Sequence, residues 1–160
     1  MGLFSFIKNA GAKLFKKKEA PAAAPTASAP AMTEEEIEIA ALRGEVKKLG
    51  ININDLNLTM GKSVSIHGET ATTADREKII LALGNVEGIC TVEDYITVTN
   101  PEPEAKFYTV KKGDSLSLIA KSQYGDPMKY PVIFEANKPM LSHPDKIYPG
   151  QSLRIPQLQA

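Results

Sequence analysis

The 160-residue sequence contains one cysteine, Cys90, and two histidines, His67 and His143. A single cysteine cannot form a disulfide within the chain, so the cysteine content does not indicate an oxidising compartment. One cysteine and two widely separated histidines also provide no ligand set for zinc. Cys90 stands in an apolar strand pattern, which predicts a buried small hydrophobic side chain.

The motifs of common catalytic sites are missing as well. The sequence has no Gly-rich phosphate-binding loop and no nucleophile elbow. It also has no pair of carboxylates whose context argues for acid–base chemistry. We therefore predict a binding protein and not an enzyme.

Charge of one sign does not dominate the chain, whose net charge is zero. Its distribution is uneven, because residues 1–33 carry a net charge of +4, residues 34–100 of −6 and residues 101–160 of +2. The acidic middle segment favours cations modestly and disfavours nucleic acid as a partner. A solvated surface that keeps a small domain in solution explains the same acidity, so both interpretations stay open.

Long hydrophobic runs are absent too. No run approaches the ~20 apolar residues that a membrane-spanning helix needs. At the N-terminus the apolar residues 2–7 precede the lysines of residues 16–18, which is the reverse of a secretory signal. Phe6 stands where an N-myristoylation motif requires Ser or Thr. No targeting segment of these kinds is predicted.

The first 18 residues do have helical spacing. Apolar residues recur at i, i+4, i+7 and i+11 and are flanked by two phenylalanines: Leu3, Ile7, Ala10 and Leu14, with Phe4 and Phe15. We predict an amphipathic helix over residues 1–18, which either lies on a membrane surface or packs on a domain of its own chain. Residues 19–33, rich in Ala and Pro, are predicted to be a linker.

The pattern of residues 34–100 predicts a helix, two strands, a second helix and a third strand. Thr33 and Glu36 form a capping-box pattern at the start of the first helix. Its apolar stripe is Ile37, Ala40, Ala41, Val46 and Leu49. Gly61-Lys62 separates two alternating runs, which predicts a hairpin, and Gly84-Asn85 stops the second helix.

After a short linker at residues 101–105, residues 106–157 predict a strand, two helices and a strand. Tyr108 and Val110 alternate as in a half-buried strand. Ser115 can cap the first helix and Gly125 can end it. We expect the two strands to pair antiparallel.

Residues 107–156 resemble a LysM domain along their whole length, through F-Y-T-V-K-K-G-D-S-L, I-F-E-A-N-K and I-Y-P-G-Q-S-L-R-I-P. Residues 34–100 resemble a BON domain, through V-S-I-H-G-E-T and A-D-R-E-K-I-I-L-A-L-G-N-V-E-G-I-C-T-V-E-D. With the N-terminal M-G-L-F-x-F-I-K-x-A-G-x-K-L-F, the chain resembles the cytoplasmic potassium-binding BON–LysM proteins of bacteria. The resemblance implies an α+β fold of two small domains and a cytoplasmic protein, expected to be a monomer.

The resemblance also implies a K⁺ site built from main-chain carbonyls of the N-terminal helix and the BON domain. The matching residues are Ile7, Ala10, Gly84, Val86, Ile89 and Val92. Neutral carbonyl oxygens can replace the hydration shell of K⁺. Gly84 stands at a helix end, where carbonyls lack partners and carry the negative end of the helix dipole.

LysM domains generally bind glycans that contain N-acetylglucosamine, so peptidoglycan binding at the cell envelope is the alternative function. The residues that match the glycan groove are Gly113, Asp114, Ser115, Leu116, Ala136, Asn137, Lys138 and Pro139. In a cytoplasmic protein, the resemblance instead implies that the LysM domain stabilises the ion-bound form.

Overall fold

The computed structural model describes residues 2–6 and 33–158. In chain order the elements are β1 (Gly2–Ser5), α1 (Glu34–Lys48), β2 (Ile53–Met60), β3 (Val64–Thr72), α2 (Thr73–Gly84), β4 (Thr91–Asn100), β5 (Lys106–Thr109), α3 (Leu116–Tyr124), a 3-10 turn (Pro127–Lys129), α4 (Tyr130–Ala136) and β6 (Ser152–Ile155). The mixture of helices and strands confirms the predicted α+β class. None of the helices in the described ranges is both long and apolar enough to span a bilayer.

The first sheet has four strands in the order β1-β4-β3-β2. β2 and β3 form the predicted antiparallel hairpin, while β3 and β4 run parallel and are connected through α2. A parallel pair needs such a crossover, because a tight turn cannot return the chain to the same direction. The end of α2 and the start of β4 therefore lie at the same corner of the domain.

The start of the chain is a strand where we predicted a helix. Gly2–Ser5 forms β1 and pairs antiparallel with the edge of β4, with Phe4 opposite Val92. Phe4 and Phe6 are half-buried, whereas Leu3, predicted to lie on the apolar face, is 70% exposed. Phe4, Ser5 and Phe6 alternate with the two-residue period of a strand, and aromatic residues favour strands when a partner edge is available. The remainder of the predicted helix lies outside the described residues.

Local signals at the start of α1 agree with the sequence. Thr33 accepts a hydrogen bond from the Glu36 amide at 3.2 Å, and Glu36 accepts one from the Thr33 amide at 2.8 Å. The predicted apolar stripe is correct at Val46 and Leu49, which face the core, but not at its start. Leu42 and Val46 are buried, while Ile37 is 54% exposed.

One hydrophobic core lies between the four-stranded sheet and the two helices that cover it. The fully buried side chains include Leu42 of α1, Ile66 of β3 and Ile79 and Ile80 of α2. α2 is buried along most of its length. It is consequently the element that fixes the position of the corner relative to the sheet.

The C-terminal residues form the predicted strand-helix-helix-strand unit, with β5 and β6 antiparallel. Ser115 caps α3 by accepting from the Leu118 amide at 3.3 Å. Gly125 ends α3 with φ +76°, a left-handed conformation that glycine adopts without strain. A second core joins α3 and α4 to the two strands around Ile119 and Ile133.

Candidate functional site

The corner between α2 and β4 brings together the predicted ligand residues that the structure describes. No backbone N–H within the described residues donates to the carbonyl of Gly84 or Ile89. The carbonyl of Val86 accepts from the Ile89 amide at 3.2 Å. Gly88 has φ +100°, which lets the chain reverse between these residues. Among the described residues, the corner thus presents carbonyl oxygens that no backbone amide fully occupies, beside the negative end of α2.

Val92 differs from these residues because it lies inside the sheet. The Phe6 amide donates to the Cys90 carbonyl at 2.7 Å. Hydrogen-bonded pairs alternate along an antiparallel ladder, so Phe4 and Val92 form the next such pair. The Val92 carbonyl therefore faces β1, where the Phe4 amide uses one of its two lone pairs. Cys90, predicted to be buried, is half-buried just before β4.

The N-terminal segment reaches the same corner. The Phe6 ring lies directly over Gly84, since a Cβ added to Gly84 would be 2.2 Å from ring carbons. Phe6 therefore lies where the other predicted ligands lie. Ile7 and Ala10 themselves lie outside the described residues.

Side-chain ligands do not gather anywhere in the described part of the chain. Within residues 2–6 and 33–158, no group of three or more His, Cys, Asp or Glu side chains could hold a metal ion. A cation bound by these residues would need main-chain or amide oxygens. Such neutral oxygens suit a weakly hydrated monovalent ion better than Mg²⁺ or Ca²⁺, which prefer carboxylates.

The predicted glycan groove in the LysM unit is partly filled by its own contacts. The Asp114 carboxylate accepts from the Tyr108 hydroxyl at 2.8 Å and from the Lys111 amide at 2.9 Å. The hydrogen bond to Asp114, together with burial, raises the pKa of Tyr108 above its ordinary value. Leu116 and Asn137 are buried, at 2% and 1% exposure. The more accessible groove residues are Gly113, Ser115, Lys138 and Pro139, which are exposed, and Asp114 and Ala136, which are half-buried.

The LysM unit packs on α2 through a buried ion pair. The Arg154 Nε donates to one carboxylate oxygen of Glu77 at 2.5 Å, and the Ala105 amide donates to the other at 2.7 Å. Glu77 and Arg154 are 3% and 9% exposed. A second pair, Arg76 with Asp94 at 2.5 Å, lies beside it. Arg76–Asp94 joins α2 to β4 within one domain, so the charge complementarity that holds β6 on α2 is that of Glu77 with Arg154.

A second contact between the two units comes from the corner itself. Asn85, the residue after Gly84, caps α2 and is 6% exposed. Its side chain bonds to the backbone of Ser152 in β6. A cleft of about 400 Å³ opens next to this contact, between the ends of α1 and α2 and the loop before β6. The corner and the LysM unit are therefore neighbours in the fold.

Comparison with known proteins identifies the family. Potassium binding protein Kbp from Escherichia coli O6:H1 is 39% identical over 160 residues, covering 98% of this chain and 99% of the relative. The chain belongs to the family of that protein. A family model of the LysM domain matches residues 108–156, so the predicted LysM domain is present. The assignment of residues 34–100 to a BON domain stays a prediction.

Two further relatives match only part of the chain. An uncharacterized protein of Deinococcus radiodurans is 59% identical over 49 residues, which are 31% of this chain and 19% of the relative. The uncharacterized protein YqbP of Bacillus subtilis is 43% identical over 61 residues, covering 32% and 28%. The likeness to these two proteins is therefore local.

The sequence does not reveal the roles of two residues that shape the corner. Asn85 was interpreted only as a helix stop, and Phe6 only as a departure from a lipidation motif. The one available signal for Asn85 was its position directly after a helix-ending glycine. Its partner, Ser152, is 67 residues away in the chain, and no local pattern connects the two.

Proposed function

We propose that this chain binds K⁺ through main-chain carbonyls at the corner after α2. The proposed ligands are the carbonyls of Gly84, Val86, Ile89 and Val92, completed by Ile7 and Ala10 from the N-terminal segment. Potassium is the ion named for the full-length E. coli relative. Carbonyl oxygens with unused lone pairs at a helix C-terminus are suitable ligands for such an ion.

The observation that carries the proposal is the placement of Phe6. Its ring covers Gly84 and its amide bonds to the Cys90 carbonyl. Phe6 is the residue that precedes the proposed ligand Ile7 in the chain, so the segment that carries Ile7 and Ala10 follows directly on a residue at the corner. An edge strand thus takes over the docking role that we first gave to a helix.

The LysM domain has a supporting role in this proposal. Its strand β6 contacts both Glu77 and Asn85 of α2. A LysM domain held in this way stabilises the arrangement of the corner and so the ion-bound form. We also propose the cytoplasmic location and the monomeric state that the resemblance implies.

The test is thermal unfolding of the full chain in KCl, RbCl and NaCl at equal ionic strength. A ligand that binds only the folded state adds RT ln(1 + [L]/Kd) to stability, about 2.7 kcal/mol at 100 times Kd. K⁺ and Rb⁺ should raise the melting temperature clearly more than Na⁺. Equal shifts with all three salts would mean charge screening alone and would end the proposal.

Glycan binding is the second candidate, supported by the match to the LysM model. Its accessible surface would be formed by Gly113, Asp114, Ser115 and Lys138. Asn137 would act from beneath, because its amide is bonded to the backbone of Ile133 and Arg154. Spectral changes at Ser115 and Lys138 on addition of chitin fragments would favour this function. Tight glycan binding combined with indifference to K⁺ would reverse the order of the two proposals.

A further inference from the structure

Strand β6 has two edges, and two asparagine side chains cover the outer one. Its inner edge pairs with β5. On the outer edge, Asn137 donates from Nδ2 to the Arg154 carbonyl at 2.8 Å and accepts from the Arg154 amide at 2.7 Å. Asn85 makes the same two bonds to Ser152, at 2.9 and 2.8 Å. Each amide takes the place of one residue of a neighbouring strand.

The two asparagines differ in where they come from. Asn137 follows α4 and belongs to the LysM domain, so its bonds close that domain internally. Asn85 belongs to the other domain and ends α2, with its own amide bonded to the Leu81 carbonyl at 2.9 Å. Asn85 therefore connects the helix end to β6 through one short side chain.

Asn85 also stands between two of the proposed ligands. The Gly84 carbonyl and the Asn85 amide belong to the same planar peptide unit. Anchoring the Asn85 side chain on β6 fixes its Cα atom and limits rotation of that peptide unit. The next amide, of Val86, bonds to the Leu83 carbonyl at 3.2 Å, which holds the following peptide unit.

We propose that Asn85 is a positioning residue for the ion. Its two hydrogen bonds to β6 hold the Gly84 carbonyl in place. The inference rests on the proposed K⁺ function. Ion binding should then strengthen the bond between Asn85 and Ser152, and loss of that bond should weaken ion binding. Such coupling is reciprocal in free energy, whichever event is measured.

The first experiment measures K⁺ affinity by calorimetry in the full chain and in two matched variants, Asn85→Ala and Asn137→Ala. Both variants remove two bonds to β6, but only Asn85→Ala disconnects the corner. We expect Asn85→Ala to weaken K⁺ binding by at least about fivefold, the lower end of common coupling strengths. Asn137→Ala should lower stability and leave K⁺ affinity within about twofold, since it touches no proposed ligand.

The outcomes separate the two proposals. If wild type prefers K⁺ and Asn85→Ala binds K⁺ equally well, the positioning role is wrong while the K⁺ function stands. Equal weakening by both variants would mean that general loss of stability, and not positioning, controls the affinity. If wild type shows no preference for K⁺ over Na⁺, the proposed function itself fails.

A second measurement needs no variant and covers the case in which Asn85→Ala does not fold. Amide hydrogen exchange of the wild type is followed during titration with K⁺ and, separately, with Na⁺. The Ser152 amide, held by Asn85, should gain more protection from K⁺ than the Arg154 amide, held by Asn137. Equal gains at the two amides would overturn the inference.

Discussion

The Phe6 ring occupies the space that a side chain at Gly84 would need: a Cβ there would lie 2.2 Å from ring carbons. Real Cβ atoms do not approach other atoms so closely, so one of the two groups would have to move. Glycine at position 84 is what allows the N-terminal strand to reach the corner.

Gly84→Ala should therefore expel Phe6 from the corner. We expect a loss of stability of about 1–3 kcal/mol, the usual cost of overpacking, together with weaker K⁺ binding. Gly44→Ala is the control, because a Cβ at Gly44 in α1 meets no atom within 4 Å. That substitution should stabilise the protein by up to about 1 kcal/mol, since Ala is the better helix former. Denaturant unfolding shows whether each substitution raises or lowers the free energy of unfolding. A destabilising Gly44→Ala together with a neutral Gly84→Ala would contradict the packing described.

Phe6→Ala tests the same contact from the other side. Removing a half-buried ring should cost about 2 kcal/mol through lost apolar burial, and K⁺ should then stabilise the protein less. Leu3→Ala on the same strand is the matched control, since Leu3 is 70% exposed, and it should change stability by less than about 0.5 kcal/mol. Melting curves with and without KCl measure both effects. If Leu3→Ala lowered the free energy of unfolding as much as Phe6→Ala, Leu3 would not lie on the solvent face of the strand and Phe6 on its buried face.

Glu77→Gln should destabilise the contact between the LysM domain and α2. The substitution leaves the buried guanidinium of Arg154 without its charged partner, which typically costs about 3 kcal/mol. Replacing both partners with apolar residues, as in Glu77→Leu with Arg154→Met, should recover much of the loss, because no uncompensated charge remains. Urea unfolding of Glu77→Gln, of the single variants Glu77→Leu and Arg154→Met, and of the double variant measures this. A double variant as unstable as the sum of its singles would show that the pair does not act as a unit.

Alkaline pH should weaken the fold through Tyr124. Burial raises the pKa of this phenol above its ordinary value, and the charge of Arg154 opposes the effect without cancelling it. A pKa raised in the folded state gives stability that is complete below the unfolded pKa, about 10, and is lost as pH rises from there through the folded pKa. Its hydroxyl also donates to the Pro156 carbonyl at 2.7 Å, a bond that the ionised form cannot make.

Tyr124→Phe isolates this contribution to the pH dependence. We expect wild type to lose more unfolding free energy than Tyr124→Phe between pH 9 and about 11, as measured by urea titration at each pH. Lysines titrate in the same range in both proteins, so the comparison between them removes that contribution. Parallel pH profiles would show that Tyr124 ionises equally in the folded and unfolded chain.

Features that depend on neighbours in the chain could be predicted from the sequence. The caps at Thr33 and Ser115 and the helix end at Gly125 involve residues within one turn, and all three occur as expected. The strand-helix-helix-strand order of residues 106–157 followed from the same kind of local pattern, whereas the LysM assignment and the α+β class were implied by the family resemblance. These predictions succeeded because the interacting groups are close in sequence.

Features that depend on distant partners could not be predicted in this way. The N-terminal segment has helical spacing at Leu3 and Ile7 and strand alternation from Phe4 to Phe6. The open edge of β4, about 90 residues later, favours a strand at residues 2–5, in keeping with the context dependence of β propensity. The pairing of Glu77 with Arg154 likewise joins residues 77 positions apart. The candidate ligands came from the family resemblance, since a glycine-ended helix alone does not distinguish a cation site from an ordinary connection.

Because Asn85 covers the outer edge of β6, the LysM domain should behave differently when it is isolated from the preceding domain. Without the preceding domain, the amide and carbonyl of Ser152 would lose their partners and a strand edge would open beside the bonds made by Asn137. An unpaired strand edge is a template for pairing with another chain. The isolated C-terminal half should therefore self-associate at concentrations where the whole protein stays dispersed. In the whole protein, Asn85 covers this strand edge and so prevents such self-association.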